Sequence, residues 1–204
     1  MRAALLSLTI LAGTTAATFA AAGLSERAQR TVQHKLGHLA SSKPVISATK
    51  DQNQRHAGID QADIDELDRR WRAGDEGLIA ATLSTALSRQ LADIVSASDG
   101  LFTEIIVMDA KGLNVGQSAR TSDYWQGDEA KWRRTFLVGP GSLHVSEVEE
   151  DESTQTFQVQ VSVPIVDGGA AIGALTVGVD AERLERLMRR RLASLREPRA
   201  NTRR

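Results

Sequence analysis

The chain has no cysteine among its 204 residues. Disulfide bonds, thiolate zinc sites, iron–sulfur clusters and cysteine nucleophiles are therefore excluded. An excess of charge of one sign is also lacking, since the formal net charge is −1 at pH 7. We therefore expect no nucleic-acid partner held by bulk positive charge. Aromatic residues make up only 4% of the chain and hydrophobic residues 41%, which is the composition of a globular protein with few rings to locate.

Residues 1–22 have the order of a secretory signal peptide. Arg2 precedes a largely apolar run over residues 5–12, and small residues continue to a predicted cleavage site near Ala22. The alternative is an uncleaved membrane anchor, because no further charge occurs before Glu26. In either case we expect the rest of the chain in the periplasm or another extracytoplasmic space, since no second hydrophobic span follows.

Helical spacing of apolar residues dominates the chain from residue 23 to residue 98, which we interpret as an N-terminal helical region. The first helix is predicted over residues 25–39. A polar stretch over residues 45–58 is predicted to be irregular. A second helix begins at Asp60, whose carboxylate can cap the first turn, and ends at Gly74. A third, strongly amphipathic helix is predicted over residues 76–97.

After Gly100 the apolar pattern changes to the alternation typical of strands. Strands are predicted over residues 102–108, 113–118, 142–149, 154–166 and 171–179, with a short helical stretch around residues 128–136. Acidic residues 149–152 are predicted to form a solvated turn. A C-terminal helix and basic tail occupy residues 182–204. The fold class is therefore α+β, a five-stranded antiparallel sheet with the long N-terminal helices packed on one face and a C-terminal helix.

Three segments in this order resemble the extracytoplasmic sensor domains of the Cache class, which have the PAS-like PDC fold. They are the strand and turn over residues 105–112, the segment 122–132 and the closing strand over residues 172–180. The resemblance implies a single-Cache sensor domain over residues 99–181, with helices on one face of a PAS-like sheet and a small-molecule ligand on the other. It implies a sensory module, not an enzyme.

Members of this class commonly lie between two membrane spans and precede an output domain, and this sequence shows neither a second span nor an output domain. We therefore expect an exported, free-standing sensor that binds a small organic ligand, such as a carboxylate or an amino acid. Its signal would pass to a separate membrane-bound receptor or histidine kinase. The alternative is a structural or interaction protein that has the Cache-like fold without a ligand pocket. A homodimer formed through the N-terminal helices is compatible with both.

Five residues are candidates for ligand binding. Rigid rings can form the walls of a pocket, and Tyr124, Trp125 and Trp132 are placed to do so. Lys131 could neutralise a carboxylate. The resemblance implies that Asp180, near the end of the last strand, receives an amino group, as in amino-acid-binding relatives. The alternative is that the two tryptophans are core residues and that Asp180 caps the C-terminal helix.

The other polar residues have ordinary structural explanations. Gln158, Gln160 and Ser162 alternate along a strand and are expected to face solvent. His34 and His38 have the spacing of a metal-binding pair but no supporting carboxylate, so neither a metal nor another cofactor is predicted. His56 and His144 have no evident partners.

The sequence contains no nucleophile elbow and no phosphate-binding loop, so we predict no catalytic site. The basic tail contains nine arginines and three acidic residues over residues 182–204. It could contact an anionic membrane or an acidic partner, although the helix dipole also explains arginines at the end of a helix.

Overall fold

The computed structural model describes residues 24–151 and 156–196. The predicted signal peptide and the last residues of the basic tail lie outside this part of the chain. The described helices are α1 (Glu26–Ala40), α2 (Lys43–Arg55), α3 (Gln61–Arg72), α4 (Glu76–Leu83), α5 (Ala86–Ser96), α6 (Ala130–Arg133) and α7 (Ala181–Arg196). The described strands are β1 (Phe102–Met108), β2 (Asn114–Gln117), β3 (His144–Val145), β4 (Glu149–Asp151), β5 (Thr156–Asp167) and β6 (Ala170–Asp180).

The strands form one antiparallel sheet in the order β2, β1, β6, β5, β3, and β4 also pairs with β5. Because β3 pairs with β5 at Val161 and Ser162 and β4 pairs with it further towards the start of β5, the two short strands together fill one edge position. The sheet thus has five strand positions. The predicted α+β class with a five-stranded antiparallel sheet is confirmed.

One face of the sheet packs on the helices and forms the main core. Alternate residues of the central strands, such as Val107, Val161 and Val177, are completely or almost completely buried against α1, α2, α5 and α7. Helix α1 presents Val32 and Leu36 to this core, one turn apart on its apolar stripe. The long helices and the sheet therefore share a single hydrophobic core, which leaves the opposite face of the sheet for other contacts.

Helix α3 begins and ends close to where the sequence predicts. Asp60 Oδ1 accepts a hydrogen bond of 3.0 Å from the Asp63 N–H, and Asp63 Oδ2 accepts one of 3.1 Å from the Asp60 N–H. This reciprocal capping box satisfies two of the amides that a helix start leaves exposed. Among the helices of residues 24–151 and 156–196, none combines the length and the apolar character that a bilayer crossing requires.

The prediction that residues 45–58 are irregular is wrong, because most of them belong to α2. Pro44 lies in the first turn, where its missing N–H removes no helical hydrogen bond, so it starts this helix instead of breaking it. The buried positions of α2 are Val45, Thr49 and Gln52. Two of the three are polar, so hydrophobic periodicity could not show the helix.

Two further boundaries differ from the prediction. The helix expected over residues 76–97 is divided into α4 and α5, because Thr85 caps a new helix and its Oγ1 accepts a 3.0 Å hydrogen bond from the Ser88 N–H. The strand expected over residues 142–149 is shortened to β3. The acidic residues Glu149–Asp151 then form β4 on the edge of β5, and not the predicted solvated turn.

Candidate functional site

The face of the sheet away from the long helices carries a row of residues that crosses all five strand positions. The register pairs Ile106 of β1 with Gln117 on one side and Thr176 on the other. Thr176 pairs with Ser162, which pairs with His144 on the edge. Because directly paired residues point to the same side of a sheet, these five side chains share one face. We call this surface the polar face.

Helix α6 covers part of the polar face. The Trp132 ring packs with Ile106, Met108 and Ala174, and it stacks on Phe136 with ring centroids 4.9 Å apart. This is the side of the sheet on which the resemblance implies a ligand, and Trp132 of α6 packs on it.

The middle of the polar face is buried. Ser162 and Thr176 are inaccessible to solvent, and their hydroxyls share a hydrogen bond of 2.8 Å. The prediction that Ser162 faces solvent is therefore wrong. Gln158 and Gln160 are half-buried, and their Nε2 groups donate to Glu104 Oε1 over 3.2 and 2.8 Å. The alternation of residues along a strand predicts which side chains share a face of the sheet. It does not predict whether other elements cover that face, so the burial of these residues could not be foreseen.

Next to this row lies a group of polar residues that we call the amide cluster, formed by Asn114, Gln117, Thr121, Asp123 and Gln126. The Asn114 Nδ2 group donates to Thr121 Oγ1 and to the Asp123 carbonyl, each over 3.1 Å. Gln126 Nε2 donates to the same carbonyl over 2.8 Å, and Thr121 Oγ1 lies 3.2 Å from Gln117 Oε1. These bonds tie β2 to the loop that follows it.

Each of the three amide side chains keeps one polar atom that has no hydrogen-bond partner among the described residues. The atoms are Asn114 Oδ1, Gln117 Nε2 and Gln126 Oε1, and all three residues are at most 1% exposed. A buried polar group without a partner costs about 1–3 kcal/mol, so three in one cluster form a recognisable feature. The cluster offers one donor and two acceptors to a polar molecule.

Tyr124 and Trp125 hold the loop after β2 in place. The Tyr124 ring stacks on Trp71 of α3 with centroids 5.2 Å apart, and burial raises the pKa of the Tyr124 hydroxyl. The backbone N–H groups of Tyr124 and Trp125 donate to Asp68 Oδ1 over 2.8 and 3.1 Å. Both rings are thus attached to α3 and to the loop, at one end of the amide cluster.

The turn between β1 and β2 receives hydrogen bonds from both candidate tryptophans. Trp125 Nε1 donates to the Lys111 carbonyl over 2.9 Å, and Trp132 Nε1 donates to the Asp109 carbonyl over 3.0 Å. Gly112 has a φ of +84°, and a Cβ at this position would lie 2.5 Å from Gly127 Cα. The turn and the loop therefore touch backbone to backbone.

Lys131 and Asp180 lie at different places on the sheet. The Lys131 ammonium is buried and lies 2.9 Å from Glu129 Oε2. Asp180 is the last residue of β6, and its Oδ1 accepts a hydrogen bond of 2.7 Å from the Arg183 N–H in the first turn of α7. The structure therefore brings Lys131 next to Trp132 on α6, whereas Asp180 caps a helix.

The role of Asp109 is not evident from the sequence. Its carboxylate is completely buried, and Oδ1 accepts from the Lys111 and Leu113 N–H groups over 2.8 and 2.9 Å. Oδ2 accepts from Gln52 Nε2 over 3.0 Å and lies 2.8 Å from His56 Nδ1. The expectation that His56 has no partner is wrong. No local pattern could show this pair, because 53 residues separate the two positions.

The two histidines of α1 contact each other without forming a larger ligand set. The rings of His34 and His38 meet edge to face, with centroids 4.6 Å apart. Within residues 24–151 and 156–196, no group of three or more histidine or acidic residues is close enough to hold a metal ion.

His144 is expected to make the stability of the fold depend on pH. Burial lowers the pKa of its imidazole below the ordinary 6.5, and Arg134 lowers it further. The folded state therefore favours the neutral ring, whereas the unfolded chain takes up a proton as soon as the pH falls through about 6.5. We expect the free energy of unfolding to decrease as the pH falls from about 6.5 through the folded-state pKa, and His144→Gln to flatten this decrease. Urea titrations of both proteins over this range check it, and parallel profiles would contradict it.

The sequence matches no protein-family model and no curated protein. Among solved structures, the chain is similar to the ligand-binding domain of the Pseudomonas aeruginosa PAO1 amino acid chemoreceptor PctC in complex with GABA, at 16% identity and a TM-score of 0.37. The match covers 78% of this chain and 59% of that one.

Two further solved structures match this chain with similar sequence identities and TM-scores. The sensor domain of the V. cholerae histidine kinase DctB matches at 14% identity and a TM-score of 0.38, over 78% of this chain and 58% of that one. The sensory domain of the Campylobacter jejuni chemoreceptor Tlp3 matches at 15% identity and a TM-score of 0.40, over 78% of this chain and 59% of that one. The chain thus spans less than three fifths of the length of these structures. The three similar structures are ligand-binding or sensor domains of two chemoreceptors and a histidine kinase.

Proposed function

We propose that this protein is a sensor domain that binds a small polar organic molecule, a carboxylate or an amino acid, at the amide cluster. The observation that carries the proposal is the set of three buried polar atoms without partners, Asn114 Oδ1, Gln117 Nε2 and Gln126 Oε1. Buried polar atoms without partners are rare in folded proteins. A bound ligand that supplies the missing hydrogen bonds is one explanation for them. Asn114 and Gln126 are bonded to the Asp123 carbonyl of the loop that carries Tyr124 and Trp125.

The chemistry of the cluster suits a molecule that has both an acid group and a hydrogen-bond donor. Gln117 Nε2 can donate to a carboxylate, and Lys131 on α6, which pairs with Glu129, would serve such a group only after exchanging that partner. The acceptors Asn114 Oδ1 and Gln126 Oε1 can receive hydrogen bonds from an ammonium or hydroxyl group. Tyr124, Trp125 and Trp132 would then be the rigid frame around the ligand, and Asp180 would contribute only from the far end of β6.

We further propose that the sensor is exported, acts without catalysis and signals through a separate membrane-bound receptor or histidine kinase. The contacts of the β1–β2 turn support a proposed path for this signal from the loop to the helices. The Gln126 N–H donates to the Gly112 carbonyl over 2.8 Å, and the Asp109 side chain in the same turn bonds to Gln52 of α2 and to His56, the residue just after α2. A shift of the loop on ligand binding would therefore move the end of α2.

The direct test is a thermal-shift screen of the full chain against amino acids and organic acids, followed by titration calorimetry of any hit. A ligand at about a hundred times its Kd adds about 2.7 kcal/mol, which raises the Tm of a protein of this size by about 5–10 °C. Gln117→Leu should abolish the shift, because it removes the donor. Gln54→Leu, on the exposed side of α2, is the matched control and should keep the shift.

Absence of any shift over a broad ligand set would contradict the proposal, as would an equal shift in wild type and Gln117→Leu. In the second case the ligand would bind elsewhere on the protein.

A second candidate function is a structural or interaction protein without a ligand pocket. The observation that favours it is that all three candidate rings already have protein partners: Tyr124 stacks on Trp71, and both tryptophans donate to carbonyls of the β1–β2 turn. If this function is correct, no small molecule shifts the melting temperature, and Gln117→Leu raises stability because it removes a buried unpaired donor.

A further inference from the structure

Helix α1 carries a stripe of basic residues on the side opposite its buried face. Arg27, Arg30, His34, Lys35 and His38 recur at helical spacing and are all exposed. The opposite side is packed into the core. A stripe from Arg27 to His38 extends for about 16 Å along the helix axis.

Helix α7 extends this stripe into a broader surface. A hollow of about 440 Å³ between the two helices is lined by Arg27, Arg30, Thr31, His34, Lys35 and Arg191. One turn before Arg191, Leu187 is a large hydrophobic residue with 44% of its surface exposed. We call this surface of α1 and α7 the basic face.

Few acidic groups of the described residues reduce the charge of the basic face. Glu26 lies 3.2 Å from Arg30, and both side chains are largely exposed to water, so this pair neutralises little. Glu185 accepts a hydrogen bond from the Ser25 N–H, and Glu182 pairs with Arg186 at the start of α7. Because the whole chain has a net charge of −1, the positive charge of this face is balanced by acidic residues on other surfaces.

We propose that the basic face docks on the surface of a membrane that contains anionic phospholipids. Each lysine or arginine next to an anionic bilayer increases the affinity for it by about a factor of five. An exposed leucine among these residues can enter the headgroup layer. The largely apolar N-terminal residues 5–22 end just before α1 starts, so any part of them held in a bilayer would bring α1 to the lipid surface. A stripe of positive charges along α1 complements a layer of phosphate groups in charge. This inference does not depend on the proposed ligand, because vesicle binding is measured without one.

The test uses the full chain and two kinds of vesicle, pure phosphatidylcholine and a 7:3 mixture of phosphatidylcholine and phosphatidylglycerol. The apolar N-terminal residues would bind both kinds equally, so the ratio of the two affinities isolates the contribution of charge. We expect the wild-type protein to prefer the anionic vesicles by at least about tenfold at low salt, and to lose the preference at high salt.

The variant Arg27→Gln/Arg30→Gln/Lys35→Gln should lower this preference at least about tenfold, because each charge it removes contributes about a factor of five, whereas the basic tail is unchanged. The control Arg55→Gln/Arg133→Gln/Arg134→Gln removes three charges from other exposed positions and should keep it. Glutamine is a good helix former, so both variants should fold, which circular dichroism and melting curves verify. An unchanged preference in the first variant, or an equal loss in the control, would overturn the proposal. It would also be overturned if inorganic phosphate abolished binding when sodium chloride of equal ionic strength did not, because the face would then be a site for a free anion.

Discussion

Asp109→Ala is expected to lower the free energy of unfolding by about 3–5 kcal/mol, because it leaves several buried donors without an acceptor. The carboxylate is completely buried and accepts from the Lys111 and Leu113 amides and from Gln52, and it also pairs with His56. Truncation to alanine removes the carboxylate that accepts all these hydrogen bonds, and it leaves a space between α2 and the turn. Urea denaturation followed by far-ultraviolet circular dichroism measures the change.

Two control variants separate the parts of this effect. Asp109→Asn keeps Oδ1, so the Lys111 and Leu113 amides stay satisfied, and we expect about half of the loss. Asp167→Ala removes a carboxylate that pairs with Lys50 over 2.6 Å on the surface. Because exposed ion pairs contribute about 0–1 kcal/mol, this variant should be almost as stable as the wild type. If Asp109→Ala lowered the free energy of unfolding no more than Asp167→Ala does, Asp109 would not be the link between α2 and the sheet.

The same turn connects the candidate site to the helices, so the Asp109 variants also bear on signalling. The Trp132 indole donates to the Asp109 carbonyl and the Trp125 indole to the Lys111 carbonyl, while the Asp109 carboxylate bonds to Gln52 of α2 and to His56 just after it. Because these contacts share one short segment, the proposed function predicts that a displacement of the loop over the polar face would reach α2 through these hydrogen bonds. In Asp109→Asn, ligand binding should persist while its effect on α2 weakens.

Most of the fold could be predicted from the sequence, because it rests on local patterns. The alternation in β5 and the capping residue Asp60 each depend on neighbouring residues, and both predict the observed element. Helix α2 could not be found in this way. Its buried face contains Thr49 and Gln52, which are held there by hydrogen bonds to Val45 and to distant residues such as Asp109.

The candidate site could be predicted only in part. Of the ring-containing segment 122–132, Trp132 packs on the polar face, whereas Tyr124 and Trp125 pack in a separate cluster with Trp71 and Leu113. Asn114, Gln117 and Gln126 were missed, because polar residues in a short strand and a loop are usually exposed. Their burial depends on the register between β1 and β2 and on the loop that returns over them. That information lies in the tertiary structure, and the sequence carries no local sign of it.

Trp132→Ala is expected to cost about 3–5 kcal/mol, the range for removing a large ring from a packed site. The ring contacts Ile106, Met108 and Ala174 on the sheet, so its loss opens a cavity on the polar face. It also removes the donor that satisfies the Asp109 carbonyl. Trp125 is only half-buried, so Trp125→Ala should cost less, about 1–3 kcal/mol. Chemical denaturation of both variants under the same conditions measures the difference.

Trp132→Phe distinguishes packing from ligand contact at this position. Phenylalanine can keep the stacking on Phe136 and most of the contacts with the sheet, but it cannot donate to the Asp109 carbonyl. If the ring only fills space, Trp132→Phe should retain most of the stability and the whole ligand-induced shift. If the ring also forms a wall of the ligand site, the shift should fall more than the stability does, because a smaller ring leaves the ligand loosely held. A loss of stability equal to that of Trp132→Ala would instead show that the hydrogen bond to Asp109, and not the area of the ring, is what holds α6 on the sheet.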